Sequence, residues 1–176
     1  MKKYNIIYAD PPWFYDNNHY TCRGNTGAHY ETMGIERIKS LKVGNYAADE
    51  CFLFLWATFP KIQWALDVMV AWGFTYRTVG FVWVKVTKEN RPRLGIGCYT
   101  RSNAEICLLG IKGKPRVIDY GVNSIVLAPL MGHSVKPDAV RERIVRLCGD
   151  IPRIELFARK KVDGWDAWGN ELPPKV

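Results

Sequence analysis

Apolar positions along the chain fall into short runs that alternate with segments of helical period. Tyr4-Asn5-Ile6-Ile7-Tyr8-Ala9 is apolar and β-prone, the pattern of a buried strand. It stops at Asp10-Pro11-Pro12, because proline cannot continue a central strand. Cys51 to Trp56 predicts a second buried strand. Pro60 opens a helix with apolar residues at Ile62, Leu66, Met69 and Val70, ended by Gly73. Phe74 to Val86 is β-rich, Ala104 to Ile111 is another apolar strand, and Ser124 to Leu127 a shorter one. Pro137 opens a second helix with Val140, Ile144 and Leu147 as its inner stripe and Gly149 at its end. Arg153 to Ala158 is the last strand predicted. Between these lie two long polar stretches, Asp16 to Thr32 and Lys88 to Arg101, of a length that is uncommon unless functional or disordered.

Strands alternating with helices predict an α/β sheet with covered faces. Ligands in such sheets bind at the carboxyl ends of strands, where Asp10 sits, with Arg159 just past another. The 176 residues, 48% of them hydrophobic, suit one globular domain over residues 1–176 that needs no disulfide or metal staple. Five cysteines, an odd number with no C-x-x-C spacing, read as reduced core residues. His19, Cys22 and His29 could be zinc ligands, but without a second cysteine pair they read better as a polar loop, so no metal is expected. With no signal-peptide pattern and no apolar run of membrane-spanning length, a cytosolic protein is expected, with no membrane partner.

The formal net charge of +8 favours a polyanionic partner, nucleic acid being the commonest; a basic protein with no such partner is the alternative. Two segments suit that partner. Arg91, Arg93, Tyr99 and Arg101 share one glycine-bearing loop, where cations can follow phosphates and a tyrosine can stack on a base. His19, Tyr20, Arg23 and His29 crowd the other loop; each could equally be solvated surface.

The tetrapeptide Asp10-Pro11-Pro12-Trp13 carries the sharpest chemistry. An adenine amino nitrogen is a poor nucleophile, because its lone pair is delocalised into the ring. Two acceptors aimed at its N–H groups free that lone pair: the Asp10 carboxylate and the Pro11 carbonyl can serve. The paired prolines fix the backbone and remove two competing donors. Trp13 can stack on the base, a contact of about 1–3 kcal/mol. Positioning and oriented electrostatics would supply most of the acceleration. A strand ending in a plain Asp-Pro turn is the structural alternative.

Five blocks in order now resemble a known family: Ala9-Asp10-Pro11-Pro12-Trp13; Tyr30-Glu31-Thr32-Met33; Phe52 to Trp56; Ala104 to Gly110 with Lys112-Gly113; and a terminal series of Ser134-Val135-Lys136-Pro137, Ile154 to Arg159, and Trp168-Gly169-Asn170-Glu171. The chain resembles the family of the catalytic subunit of the eukaryotic mRNA adenosine methyltransferase, and more closely its compact bacterial and phage relatives. The resemblance implies a Rossmann-like class I S-adenosylmethionine-dependent methyltransferase in permuted order, catalytic strand first and cofactor strand last. That order accounts for the lack of G-x-G-x-x-G after the first strand.

The resemblance further implies that Asp10, Pro11, Pro12 and Trp13 are catalytic. It implies S-adenosylmethionine as cofactor, with Lys136 on its carboxylate, Ser134 beside it, and Glu155 and Arg159 as a pair shaping the pocket. Asn170 and Glu171 would hold the ribose hydroxyls. Asp10 also touches the cofactor, and Tyr30 would close over the site. Glu171 stands where eukaryotic members often carry glutamine, and Lys160-Lys161 replaces their His-Asn pair. The catalytic strand also lacks the preceding segment that helps hold the cofactor adenine in those members. DNA adenine is the favoured substrate, reached by base flipping if duplex, with RNA adenosine second. A non-catalytic nucleic-acid platform and a protein or small-molecule amine methyltransferase are the other classes. The aspartate in place of Asn-Pro-Pro-aromatic speaks against the last. A domain this small must draw sequence choice from its loops, a homodimer or a partner subunit.

Overall fold

The computed structural model describes residues 2–15, 32–95, 99–131, 135–170 and 172. Seven strands, β1 (Tyr4–Ala9), β2 (Ala47–Ala57), β3 (Thr75–Val86), β4 (Ala104–Lys112), β5 (Ile125–Pro129), β6 (Arg153–Leu156) and β7 (Asp166–Trp168), form one sheet of order β5-β3-β4-β2-β1-β6-β7. β1 pairs in parallel with β2 and β6, β6 with β7, and β3 with β5. Only β4 runs the other way, between β2 and β3. This is the mixed α/β sheet of a Rossmann-like fold.

The pairing directions fix where chemistry can happen. The carboxyl ends of β1, β2, β3, β6 and β7 and the amino end of β4 all lie along one edge. β1 is central, and Ile6, Ile7, Tyr8 and Ala9 are buried on both faces, as a central parallel strand requires. Ile7, Leu53, Leu55 and Leu108 pack with Ile38 of α1 (Ile35–Lys39) and Ala65, Val68 and Met69 of α2 (Ile62–Ala71). Tyr8, Phe54, Trp56, Phe81 and Trp83 pack on the opposite face with Val140 and Ile144 of α3 (Asp138–Cys148).

The strand pattern holds along the chain, with four differences. A 3₁₀ turn, Phe59–Lys61, takes Pro60, so α2 begins two residues later. Val70 is 75% exposed rather than core; Ala65 and Val68 fill the inner face instead. On α3, Leu147 is only half-buried, while Arg141 and Cys148 are buried. The strand predicted to end the chain stops at Leu156, and the three-residue β7 follows it. Gly73 and Gly149 end their helices with φ of 82° and 98°, a region open to glycine. Cys51, Cys107 and Cys148 are buried free thiols. Burial in apolar surroundings pushes Cys51 and Cys148 up to about 12, which makes both inert at neutral pH. Among the described residues no group of three or more His, Cys, Asp or Glu could hold a metal ion; His19, Cys22 and His29 lie outside them. No described helix is long and apolar enough to cross a membrane.

Candidate active site

Asp10 follows the last residue of β1, where the ladder to β6 ends with its N–H on the Leu156 carbonyl at 3.5 Å. The two prolines turn the chain out of the sheet. The Trp13 N–H donates to the Pro11 carbonyl at 2.9 Å, and the Met33 N–H to the Pro12 carbonyl at 2.7 Å. Trp13 itself is buried, and its indole Nε1 donates to the Trp56 carbonyl at 3.1 Å, tying the turn to β2. The tetrapeptide is thus held from three sides. The Pro11 carbonyl has one bond from Trp13 and a second lone pair for another donor.

The Asp10 carboxylate meets Lys136, which arrives on the segment before α3. Lys136 Nζ lies 2.8 Å from Asp10 Oδ2 and 3.2 Å from Glu105 Oε2 on β4. Glu105 Oε1 in turn receives Lys85 of β3 at 2.6 Å. The Lys136 ammonium also sits 5.4 Å from the Trp56 ring centre. Burial opposes its charge, but the two carboxylates outweigh that and hold Lys136 above its ordinary value. Burial pushes the Asp10 carboxyl up; Lys136 and Arg159 oppose this, Glu105 adds to it, and the balance is upward. Burial also pushes Glu105 up, but Lys136 and Lys85 outweigh it and hold Glu105 below the usual range.

Two cavities meet at Asp10. The smaller, about 50 Å³, is lined by Asp10, Pro11, Trp13, Tyr15, Trp56, Thr58, Glu105 and Lys136, among others. The larger, about 220 Å³, opens between the ends of β1, β6 and β7 and includes Asp10, Pro12, Arg37, Phe157, Arg159, Trp168 and Asn170. Phe157 holds φ at 60°, uncommon for a bulky residue, and its ring meets Trp168 edge-on at 5.3 Å. A Cβ on Gly169 would lie 2.3 Å from the Ala158 carbonyl oxygen, so only glycine allows that close approach beside the cavity.

The structure brings together Asp10, Pro11, Trp13 and Lys136 around the smaller cavity, and Asp10, Pro12, Arg159 and Asn170 around the larger. Lys136 is paired with the two carboxylates and lines the smaller cavity, so the guanidinium groups of the larger one are Arg37 and Arg159. Glu155 lines neither cavity; its buried carboxylate takes two bonds from Arg141, at 2.7 and 2.6 Å. Ser134, Glu171 and Tyr30 lie outside the described residues. Arg91, Arg93, Tyr99 and Arg101 are exposed on the loop leaving β3. That loop folds back on its strand, with the Arg93 N–H on the Lys85 carbonyl at 2.8 Å, and Arg101 Nε donates to the Gly95 carbonyl at 2.7 Å.

Lys85, Glu105, Arg37 and Phe157 join the site only through the fold. Lys85 and Glu105 did leave a signal, each being a charge flanked by the apolar residues of a strand. Arg37 left none, because its helix of five residues has no room for a period.

This fold and site set two cavities against one carboxylate at the carboxyl edge of the sheet. The MT-A70 family profile matches residues 4–171, and the chain belongs to that family. The type II methyltransferase M.MunI of a Mycoplasma species is 35% identical over 191 residues, which cover 98% of this chain and 79% of that protein. The human N(6)-adenosine-methyltransferase catalytic subunit METTL3 is 29% identical over 177 residues, 98% of this chain but 29% of that protein. The Drosophila melanogaster N(6)-adenosine-methyltransferase MT-A70-like protein is 30% identical, again over 98% of this chain and 27% of that one. The chain thus spans less than a third of the length of those two relatives. It is a methyltransferase of this family.

Proposed function

We propose that the chain transfers a methyl group from S-adenosylmethionine to the N6 amino group of adenine in nucleic acid, with DNA as its substrate. The observation that carries this reading is the position of Asp10, which lines both cavities. One carboxylate can then touch the acceptor amine on one side and the methyl donor on the other.

The larger cavity suits the cofactor by its donor set. Arg159 and Arg37 can pair with a carboxylate, the Asn170 amide with ribose hydroxyls, and the Phe157 and Trp168 rings with a flat base. Asp10 can take the cofactor ammonium, and Lys136 lies beside it for a carboxylate that reaches the boundary between the cavities. Ser134 and Glu171 complete the set by resemblance. Glu155 acts on this pocket through Arg141 and the end of β6. The central place of β1, with β6 at its side, supports the permuted order, catalytic strand first and cofactor strand last.

The smaller cavity suits the amine edge of the target adenine. With Asp10 Oδ2 taken by Lys136, Oδ1 can accept one amine N–H and the Pro11 carbonyl the other. Trp13 walls the ring, and Tyr30 would close over it. The cofactor supplies an electrophilic methyl on a sulfonium. With the cofactor bound, that methyl would pass to the amine nitrogen as the methyl–sulfur bond breaks, and the surplus N–H proton would leave to water. The protein contributes alignment and oriented charge.

Arg91, Arg93, Tyr99 and Arg101 track the strand from the same edge of the sheet. A single domain carries both sites, and a second copy or a partner subunit would add to sequence choice. DNA is favoured because the match to the type II methyltransferase spans most of that protein's length. RNA adenosine is the second reading, favoured by the names of the longer relatives. The test is labelled methyl transfer to DNA and RNA oligonucleotides of one sequence in competition. Label in DNA supports the first reading; label in RNA alone supports the second; label in neither, with cofactor bound, removes both.

A further inference from the structure

Four charges, two buried and two half-buried, alternate in sign across the catalytic edge of the sheet. Lys85 of β3, Glu105 of β4, Lys136 before α3 and Asp10 after β1 are linked in that order by contacts of 2.6, 3.2 and 2.8 Å. Their side chains are 22%, 12%, 5% and 22% exposed. The chain lies over two tryptophans: Lys85 is 5.2 Å from the Trp83 ring centre and Lys136 5.4 Å from that of Trp56. Those rings meet edge-on at 6.5 Å.

The proposed reaction uses Asp10 and touches Lys136. It leaves Glu105 and Lys85 without a task. A buried pair survives only when its charges are balanced and hydrogen-bonded. Asp10 and Lys136 alone would be neutral, but Glu105 adds a negative charge beside the acceptor carboxylate. Lys85 cancels that charge.

We propose that Lys85 is a positioning residue for methyl transfer, which neutralises Glu105 so that Glu105 can anchor Lys136 against Asp10 without disfavouring the Asp10 carboxylate. Lys85 touches neither proposed ligand cavity and acts through Glu105 and Lys136. It also stands at the root of the arginine loop, its carbonyl accepting from Arg93 N–H at 2.8 Å and its N–H donating to Asn103. The charge set and the nucleic-acid loop therefore share one anchor. This inference rests on the proposed role of Asp10.

The charged and titratable groups facing Asp10 are Lys136 from the segment before α3, Glu105 and Cys107 from β4, and Arg159 from the segment after β6; Lys85 of β3 acts at one remove. Removing the positive charge of Lys85 leaves Glu105 to draw Lys136 away from Asp10, so protonation of Asp10 becomes easier. Removing the negative charge of Glu105 does the opposite. A structural role for either residue moves Asp10 in no such opposed way.

The experiment titrates Asp10 in the full chain by NMR of carboxyl-labelled aspartate, assigned with Asp10→Asn, and in parallel records the pH profile of methyl transfer. It compares the unaltered protein with Lys85→Met, Lys85→Arg and Glu105→Gln. The expected result is an Asp10 titration moved to higher pH in Lys85→Met, to lower pH in Glu105→Gln, and unmoved in Lys85→Arg. The acidic limb of the rate should follow, each pH unit of displacement reading as about a tenfold change in rate on that limb. Equal titration of Asp10 in all four proteins overturns the proposal, as does Lys85→Met raising KM for the oligonucleotide with its pH profile unmoved. The NMR titration keeps the two readings apart: displaced Asp10 titrations with no matching change in rate leave the charge chain standing and remove Asp10 from the reaction. Thermal unfolding of each variant identifies any that has failed to fold; should Lys85→Met be one, Lys85→Gln removes the same charge and takes its place with the same expected displacement.

Discussion

At the residue scale, methyl transfer by this site requires Asp10 to be ionised when the amine arrives. The carboxylate accepts an N–H more strongly than the neutral acid and alone carries the charge that offsets the positive charge growing on the amine. Burial, opposed by Lys136, leaves its carboxyl above the ordinary value of about 3.9. Activity is therefore present above that raised value and lost as pH falls through it. The acidic limb of kcat/KM should lie above the range of an ordinary aspartate, and a limb at or below that range would contradict the reading. Asp10→Asn keeps the shape, loses the charge and presents an N–H where an acceptor is needed. It should lower kcat by roughly 10²–10³-fold, the scale set by losing one preorganised electrostatic contact, with cofactor affinity less affected. Asp10, the prolines and Trp13 were legible because the chemistry is local in sequence. The tie from Trp13 to the Trp56 carbonyl and the Lys85–Glu105–Lys136 series were not, since each joins residues far apart along the chain.

At the element scale, the strands were legible where burial on both faces makes a continuous apolar run. β1 matches its predicted residues, and β2 and β4 contain theirs. β7 has three residues and α1 five, too short for a period to register against the surrounding loop. Val70 shows the limit of helical spacing, since the face that packs is chosen by the sheet below it. The partner of Glu155 was likewise invisible, because Arg141 sits on α3 among residues expected to be apolar or solvated. Arg141 donates to both Glu155 oxygens and reaches Asp138 at 2.6 Å. It fixes the start of α3 against β6, and with it the segment that carries Lys136. Arg141→Met should cost roughly 3–5 kcal/mol in urea unfolding, because it leaves a buried carboxylate without its partner. Replacing both Arg141 and Glu155 by apolar residues should recover most of that loss; a double variant as unstable as the single one would contradict this view of the pair.

At the scale of the whole molecule, the net charge of +8 and the exposed arginines of the loop after β3 belong together. Binding of an oligonucleotide should weaken linearly in log–log terms as salt rises, through release of condensed counterions. Arg91→Ala and Arg93→Ala should each lower that slope by about one and weaken all sequences alike. Slopes equal to that of the unaltered protein would place the phosphates elsewhere. The sheet order was beyond reach of the sequence pattern itself, since periodicity fixes strands but not their neighbours; the resemblance implied a chain order alone, catalytic strand first and cofactor strand last.

In the function proposed, the Asp10-Pro11-Pro12-Trp13 turn positions the exocyclic amine of adenine for methylation. The direct measurement is methyl transfer from labelled S-adenosylmethionine to an adenine-containing DNA oligonucleotide, digested to nucleosides, with the unaltered protein and Asp10→Asn side by side. The expected labelled product is N6-methyldeoxyadenosine, nearly absent with Asp10→Asn. Label on another base or atom, or equal rates from the two proteins, would contradict it.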